Sequence, residues 1–412
     1  MRIPTAGIDM RLLEFSQEEL ARMHGQEMRV DCPCKPLEEL KMGAAKYGER
    51  YRLRCMPDTL LCHAQDCPNT HVPSSLTGEA LLMDSGAIAP NEDTGRIDLK
   101  FGFDMSKKPP REAGTGGKSG AGDTVKTKGS TLTITGLLHH LWHTAGLDEW
   151  SPETDTRNWD FIREKLLKAA ESMDVRKSPL AELIFMPESS QDDTYQLLKM
   201  ASLSRVQENT QQIGILIGRG NKRTFSDAIE QNRLEIQNCR VRLAIDGKIS
   251  KKLLIKYNEA LDLWYNFDDT EMIVIATFRT IFDAGKYPSH FAIHELALMP
   301  ATAIWIPYTK PYQLEKILIE KLSSEKRLFT KCLDYNLSFA KPFPSVVLRD
   351  AIAPEIDLFV CPEEAVSTMG SPFQDILDKK PETTWCWFAE SSPNMLAEMP
   401  PIPQKQAQRK GK

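Results

Sequence analysis

Apolar residues recurring three and four positions apart predict a helix within residues 10 to 27, carried by Leu12, Leu13, Phe15, Leu20 and Met23. The same period predicts helices over Gly136 to Gly146 and Trp159 to Met173, the second with Ile162, Leu166, Ala170 and Met173 along one face. Short apolar runs predict strands at Tyr51-Arg52-Leu53-Arg54, Ile213 to Ile217, Leu234 to Ile245, Met272 to Phe282 and Phe291 to Leu298, with helices near 250 to 263 and 312 to 324. Three more runs, Ser345 to Leu348, Leu358 to Cys361 and Trp385 to Phe388, predict strands ahead of a Pro-rich and finally basic tail. Helices and strands in this order predict an α+β protein.

Composition divides the pattern. Residues 105–130 are rich in Gly, Pro and Lys, including Lys107-Lys108-Pro109-Pro110 and Gly114-Thr115-Gly116-Gly117, which cannot bury a core and read as a flexible loop or linker. The expected organisation is an N-terminal Cys/His unit over 1–104, that linker, a helical hairpin of winged-helix-like proportions over 131–180, a mixed α+β domain over 181–398 and a basic disordered tail over 399–412. A chain of 412 residues has room for two or three domains of about 100 to 150 residues.

The 41% hydrophobic and 26% charged residues are those of an ordinary globular chain. A net charge of -5 supplies no global attraction for nucleic acid or anionic lipid, so such binding needs a local basic patch. Met1-Arg2-Ile3-Pro4-Thr5 lacks the apolar stretch of a secretory signal, and no run reaches the roughly 18 apolar residues of a membrane span. The expectation is a cytoplasmic protein with no membrane partner, in which cysteines are thiols or metal ligands rather than disulfides.

Five of the nine cysteines lie between Cys32 and Cys67. Cys32-Pro33-Cys34 is a C-x-C turn, and His63 and Cys67 stand four apart, which brings them to one face of a helix. Two such pairs supply the four ligands that tetrahedral zinc favours, so Cys32, Cys34, His63 and Cys67 are the candidate zinc ligands, with Cys55 or Cys62 able to replace one of them. Four protein ligands leave no open position for water, and the zinc would be structural.

Other motifs fail on their context. Gly117-Lys118-Ser119 ends like a phosphate-binding loop, but Glu112 occupies the place of its first glycine. Ile217-Gly218-Arg219-Gly220-Asn221 begins like a dinucleotide fingerprint, but Arg223 holds the third glycine position, and a Gly-bearing hairpin is expected instead. His294-Glu295-Leu296-Ala297 begins like a zinc-protease helix, but Leu298 replaces the second His. His139 and His143 could share a metal from one helical face, although packing of Leu138, Leu141 and Trp142 explains the segment better. Asp192-Asp193 and Asp268-Asp269 fit solvated loop ends.

Cys32, Cys34 and Cys67 resemble the three N-terminal cysteines of a bacterial family called domain of unknown function 1173. Arg54-Cys55-Met56-Pro57 leading to His63 and Cys67, the block Gly136 to Trp150, and Arg327 to Val360 around Phe329-Thr330-Lys331 are similar to that family too, while Cys332 and Asp334 depart from the proline and arginine expected there. The resemblance implies an uncharacterised bacterial protein of conjugative or integrating elements and no particular reaction. Pro344 to Leu348 followed by Leu358 to Cys361 also resembles the paired strands of restriction-like nucleases, but Ser345, Phe359 and Cys361 stand where the metal-binding acids and lysine would be, leaving only Asp350 and Asp357 nearby.

The function expected from these readings is a non-enzymatic nucleic-acid-binding or scaffold accessory protein of a mobile element. Its candidate phosphate contacts are Lys107, Lys108, Arg111, Lys118, Lys126 and Lys128 in the linker and Arg219, Lys222 and Arg223 at the expected hairpin tip. The alternatives are an enzyme whose site is assembled from distant residues, including a degenerate restriction-like nuclease, and a protein-interaction adaptor.

Overall fold

A computed structural model describes residues 15–26, 28–32, 40–47, 50–55, 79–91, 94–107, 131–152, 156–176, 178–207, 210–283, 287–336, 343–351, 356–362, 383–389 and 399–405. The fold is α+β, and the chain forms two compact units. One comprises 1–80, 322–332 and 341–412; the other comprises 81–321 and 333–340. These units cut across the boundaries that composition suggested.

In the larger unit, six strands hydrogen-bond in the order Ile184–Phe185, Gly214–Arg219, Thr270–Asp283, Tyr287–Thr302, Leu243–Ile245 and Arg233–Leu234. The centre is a long antiparallel hairpin in register from Thr270↔Thr302 to Asp283↔Tyr287. Ile273, Val274 and Ile275 are all buried, as are Leu298 and Met299, so both faces of the sheet are covered and the strands read as continuous apolar runs. The register shifts between Ala276 and Phe278, and the hydroxyl of Thr277 accepts the backbone N–H of Glu295 at 3.0 Å, satisfying a donor where the ladder is interrupted.

Helices Ile134–Thr144 and Trp159–Glu171 start where side-chain caps stand ready: Thr133 Oγ1 accepts the N–H of Gly136, and Asn158 Oδ1 accepts that of Phe161. Leu137, Leu138 and Trp142 from the first, and Ile162 and Leu166 from the second, join the same hydrophobic cluster as Ile273 to Ile275. The expected helical hairpin is therefore not a separate segment; its apolar stripes share the core of the sheet. Truncating the fully buried Ile162 to alanine would cost roughly 2–5 kcal/mol.

Two local expectations need correction. Gly214–Arg219 is followed by a short turn and the helix Phe225–Glu230, not by the returning strand of a hairpin. A Cβ at Gly218 would lie 2.4 Å from Ile236, and one at Gly220 would lie 2.7 Å from Trp264, so these glycines admit large neighbouring side chains. The strand expected over Leu234 to Ile245 is two short antiparallel strands, Arg233–Leu234 and Leu243–Ile245, separated by a segment in which Asn238 adopts φ +61°.

The smaller unit begins with the helix Gln17–Gly25, held at its start by a reciprocal cap between Ser16 and Glu19. The strands Arg29–Asp31, Lys41–Tyr47 and Arg50–Cys55 follow as an antiparallel meander. From the C-terminal half come Phe329–Lys331, Val346–Leu348, Ile356–Pro362 and Thr384–Ala389, with the first three antiparallel and the last parallel to its neighbour. Met399–Lys405 is fixed here: Trp385 Nε1 donates to Pro401 O at 3.0 Å, Arg327 Nη1 donates to Pro403 O at 2.7 Å, and Lys405 forms a bridge with Ala351. Among the described residues, no helix is long and apolar enough to cross a membrane.

Candidate functional site

Two hairpins and the end of a helix in the larger unit enclose an open cleft of about 850 Å³. One hairpin pairs Met173–Val175 with Ser178–Pro179. The other pairs Val206–Gln207 with Thr210–Gln212, whose far edge takes Ser106–Lys107 as a third strand. Arg176 and Arg205 line the cleft together with the hydroxyl residues Ser106, Ser178, Ser202 and Thr210. Among the described residues, Glu182 is the one carboxylate of the lining; Met105, Val175, Leu183 and Leu203 supply its apolar surface. Two guanidiniums with hydroxyl groups around them form an environment suited to a phosphate-bearing ligand.

Arg176 sits in an unfavourable backbone conformation, φ +49°, in the two-residue connection between the paired residues Val175 and Ser178. Such turns favour Asn-Gly because β-carbons oppose positive φ, and the left-handed conformation costs a residue like arginine roughly 1–2 kcal/mol. The side chain is nevertheless fixed: Nη1 donates to Ser106 Oγ at 3.1 Å.

Beneath the cleft lies a buried polar network. The side-chain amide of Gln211 donates to the carbonyl oxygens of Ser204 at 3.1 Å and Thr280 at 2.8 Å, and the Thr280 N–H donates to Ser204 Oγ at 3.0 Å. All three residues are buried, so these bonds are satisfied away from water and hold the chain firmly. Arg205 follows Ser204 directly, and Thr210 and Gln212 flank Gln211, which places the cleft's polar groups on a rigid base.

The Lys-rich segment departs from this wall. Lys107 is paired with Gln211 in the three-stranded sheet, whereas Lys108, Arg111, Lys118, Lys126 and Lys128 lie outside the described residues. The chain returns at Thr131, close to the same strand: Gly102 N–H donates to Leu132 O at 2.9 Å, and Leu132 N–H donates to Lys100 O at 2.8 Å. Both ends of the basic segment are thus anchored within one short stretch of chain.

Arg219, Lys222 and Arg223 lie elsewhere, at the end of Gly214–Arg219 remote from Gly214, whose neighbour Ile213 bonds to Met105. The intervening strand spans roughly 17 Å at about 3.3 Å per residue. Arg219 packs with its guanidinium carbon 5.7 Å from the ring centroids of both Trp159 and Trp305. Lys222 donates to Phe267 O at 3.0 Å and approaches Asp268 at 3.4 Å, while Arg223 is exposed. Burial holds the nearby Glu271 carboxyl above its ordinary value, against the opposing pull of Arg219 and Lys222. The structure does not bring these three basic residues together with Arg176 and Arg205.

Of the candidate zinc ligands, Cys32 is buried, and its backbone N–H donates to Leu40 O at 2.6 Å. Cys34, His63 and Cys67 lie outside the described residues. Within the described meander, Cys32 follows the first strand at the end where the second begins, and the third returns to that end at Cys55, opposite Met42. The connection carrying Cys34 and the one leading to His63 and Cys67 therefore leave from one end of the sheet. Among the described residues, no group of three or more His, Cys, Asp or Glu residues could hold a metal ion.

His139 and His143 have different partners. His139 Nδ1 lies 3.1 Å from the backbone nitrogen of Tyr335 and 3.4 Å from the Asp334 carboxylate, whereas His143 Nδ1 lies 2.6 Å from the buried carboxylate of Asp148. Arg157 brackets Asp148 by donating to Leu147 O and Glu149 O, and burial lowers its pKa against the pull of Asp148. Asp192 caps a helix by accepting the N–H of Tyr195 at 2.7 Å, and Asp269 binds Lys316 through both carboxylate oxygens. Asp350 accepts from Arg327 Nε at 3.0 Å and from the Leu328 N–H at 2.9 Å, both within the smaller unit. Sequence reasoning missed Arg176 and Arg205 because their neighbours come from positions as distant as 106 and 212.

No curated protein and no solved structure matches the chain. A family profile described as protein of unknown function (DUF1173) matches residues 9–390, and the chain belongs to that family.

Proposed function

We propose that this protein is a non-enzymatic nucleic-acid-binding or scaffold accessory protein of a bacterial mobile element, acting in the cytoplasm and contacting phosphates through the Arg176–Arg205 cleft and the Lys-rich segment rooted beside it. The observation that carries this reading is the convergence of two arginines and four hydroxyl residues on the wall that Ser106–Lys107 helps to build. Lysines on a chain anchored at both ends raise the local cation density without reading sequence, while the cleft supplies fixed donors. This compensates locally for the net charge of -5. The mobile-element context comes from the family resemblance.

The test is an electrophoretic mobility shift at low salt followed by salt titration. Binding should weaken steeply with salt, and replacing Lys107, Lys108, Lys126 and Lys128 with glutamine should reduce the slope. No complex with DNA or RNA at low salt would overturn the reading.

The N-terminal unit is proposed to hold one structural zinc ion through Cys32, Cys34, His63 and Cys67. Departure of both ligand-bearing connections from one end of the meander supports it, because two pairs must meet for a four-ligand site to close. Thiolate and imidazole donors suit zinc, and the ion would staple the connections to the sheet.

A further inference from the structure

We infer that the cleft takes the phosphate of an unpaired nucleotide within a single strand, with the neighbouring base lying on the exposed face of helix Asp193–Leu203. This rests on the nucleic-acid reading above and narrows it. A cleft of about 850 Å³ falls within the roughly 300–1,000 Å³ range of small-ligand sites, large enough for a nucleotide or two but not for a duplex. Arg176 and Arg205 provide the charge, and the serine and threonine hydroxyls provide neutral donors for phosphate and sugar oxygens.

The helix supplies the second element. Its end lines the cleft through Ser202 and Leu203. Tyr195, Leu198 and Ser202 are spaced three and four apart, so they follow one another along a single helical face leading out of the cleft. Tyr195 is 50% exposed and Leu198 59%, with Val206 beside Arg205 at 47%. The opposite face is docked: buried Gln196 donates to Asn238 O at 2.7 Å and accepts the Arg240 N–H at 2.9 Å, and Met200 and Leu203 enter the core. The exposed side chains are therefore held on a fixed helix and continue the cationic cleft as an apolar strip. Aromatic and apolar side chains beside a cationic groove are the arrangement that binds single strands, because every base offers a π face and only an unpaired base can leave its partner to use it.

The experiment is fluorescence anisotropy of the full-length protein with a labelled thymidine oligonucleotide and its RNA counterpart, compared with a blunt hairpin duplex of equal charge and with thymidine monophosphate as competitor. The single strands should bind at least about tenfold more tightly than the duplex. Tyr195→Ala should weaken single-strand binding roughly five- to hundredfold while leaving duplex binding unchanged, and Tyr195→Phe should retain it. Tyr195 is exposed, so circular dichroism and melting should be unaffected by either change. Equal affinity for duplex and single strand, or an unaffected Tyr195→Ala variant, would overturn this inference while leaving general phosphate binding intact. Competition by the mononucleotide at matching affinity would make the cleft a free-nucleotide site and overturn it as well. Absence of binding to every nucleic acid would remove both this inference and the function it rests on.

Discussion

Arg176 donates from Nη1 to Ser106 Oγ at 3.1 Å, joining the tight turn of one hairpin to the strand from which the Lys-rich segment departs. The turn tolerates a left-handed arginine, so stability and binding should separate there. Arg176→Gly is expected to leave folding stability unchanged or raise it by up to about 1 kcal/mol, by relieving the positive φ, while weakening oligonucleotide binding. Urea unfolding alongside a binding titration checks both; a clear loss of stability with binding retained would contradict the proposed role.

Gln211 lies under the cleft without lining it. Gln211→Ala leaves the carbonyls of Ser204 and Thr280 without the amide donor, which should cost roughly 1–3 kcal/mol. Because Arg205 follows Ser204, affinity for nucleic acid should fall as well. Chemical unfolding with wild-type stability and unchanged affinity would show that the network does not hold the cleft.

In the smaller unit, Asp350 is fully buried against Arg327. Asp350→Ala strands that guanidinium in the interior and should cost roughly 3–5 kcal/mol, whereas replacing both members with apolar residues should recover much of the loss. Denaturation of the single and double variants distinguishes a structural pair from a catalytic one; a stable Asp350→Ala protein would contradict the structural role.

Glu271 should impose a pH dependence on stability. Burial raises its carboxyl pKa in the folded state, so its contribution is most favourable below the ordinary carboxyl value of 4.5 and is lost as pH rises through the raised folded value. Glu271→Gln should therefore be more stable than wild type near about pH 8, with the gain shrinking toward about pH 4. Equal or lower stability of the variant at the higher pH contradicts this sign.

The zinc proposal is checked by elemental analysis of protein purified reduced and free of chelator. About one zinc per chain, lost in a Cys32→Ser, Cys67→Ser double variant together with destabilisation of the N-terminal unit, is the expected result. Metal-free protein with wild-type folding would exclude the site.

Much of the fold was legible where burial acts through one simple period. The apolar stripe of Trp159 to Met173 corresponds to the helix Trp159–Glu171, and the runs Met272 to Phe282 and Phe291 to Leu298 lie within the strands Thr270–Asp283 and Tyr287–Thr302, whose pairing as a hairpin the runs alone do not specify. Gly218 and Gly220 misled because glycine signals a turn in sequence, whereas here it makes room for Ile236 and Trp264, a packing requirement that local pattern cannot reveal. Helix Asp193–Leu203 escaped notice because its apolar positions are divided between a buried and an exposed face. The cleft was least visible of all: Ser106, Arg176 and Arg205 meet only through strand pairing across the chain, and an Arg-Lys turn carries none of the Asn-Gly signal that would announce it.

The most direct measurement is the salt dependence of single-strand binding by wild type and by an Arg176→Ala, Arg205→Ala double variant of unchanged melting temperature. Loss of two phosphate contacts should make the slope of log affinity against log salt shallower by about 1.4 and lower the affinity at low salt. Identical slopes and affinities in the two proteins would contradict phosphate recognition by the cleft.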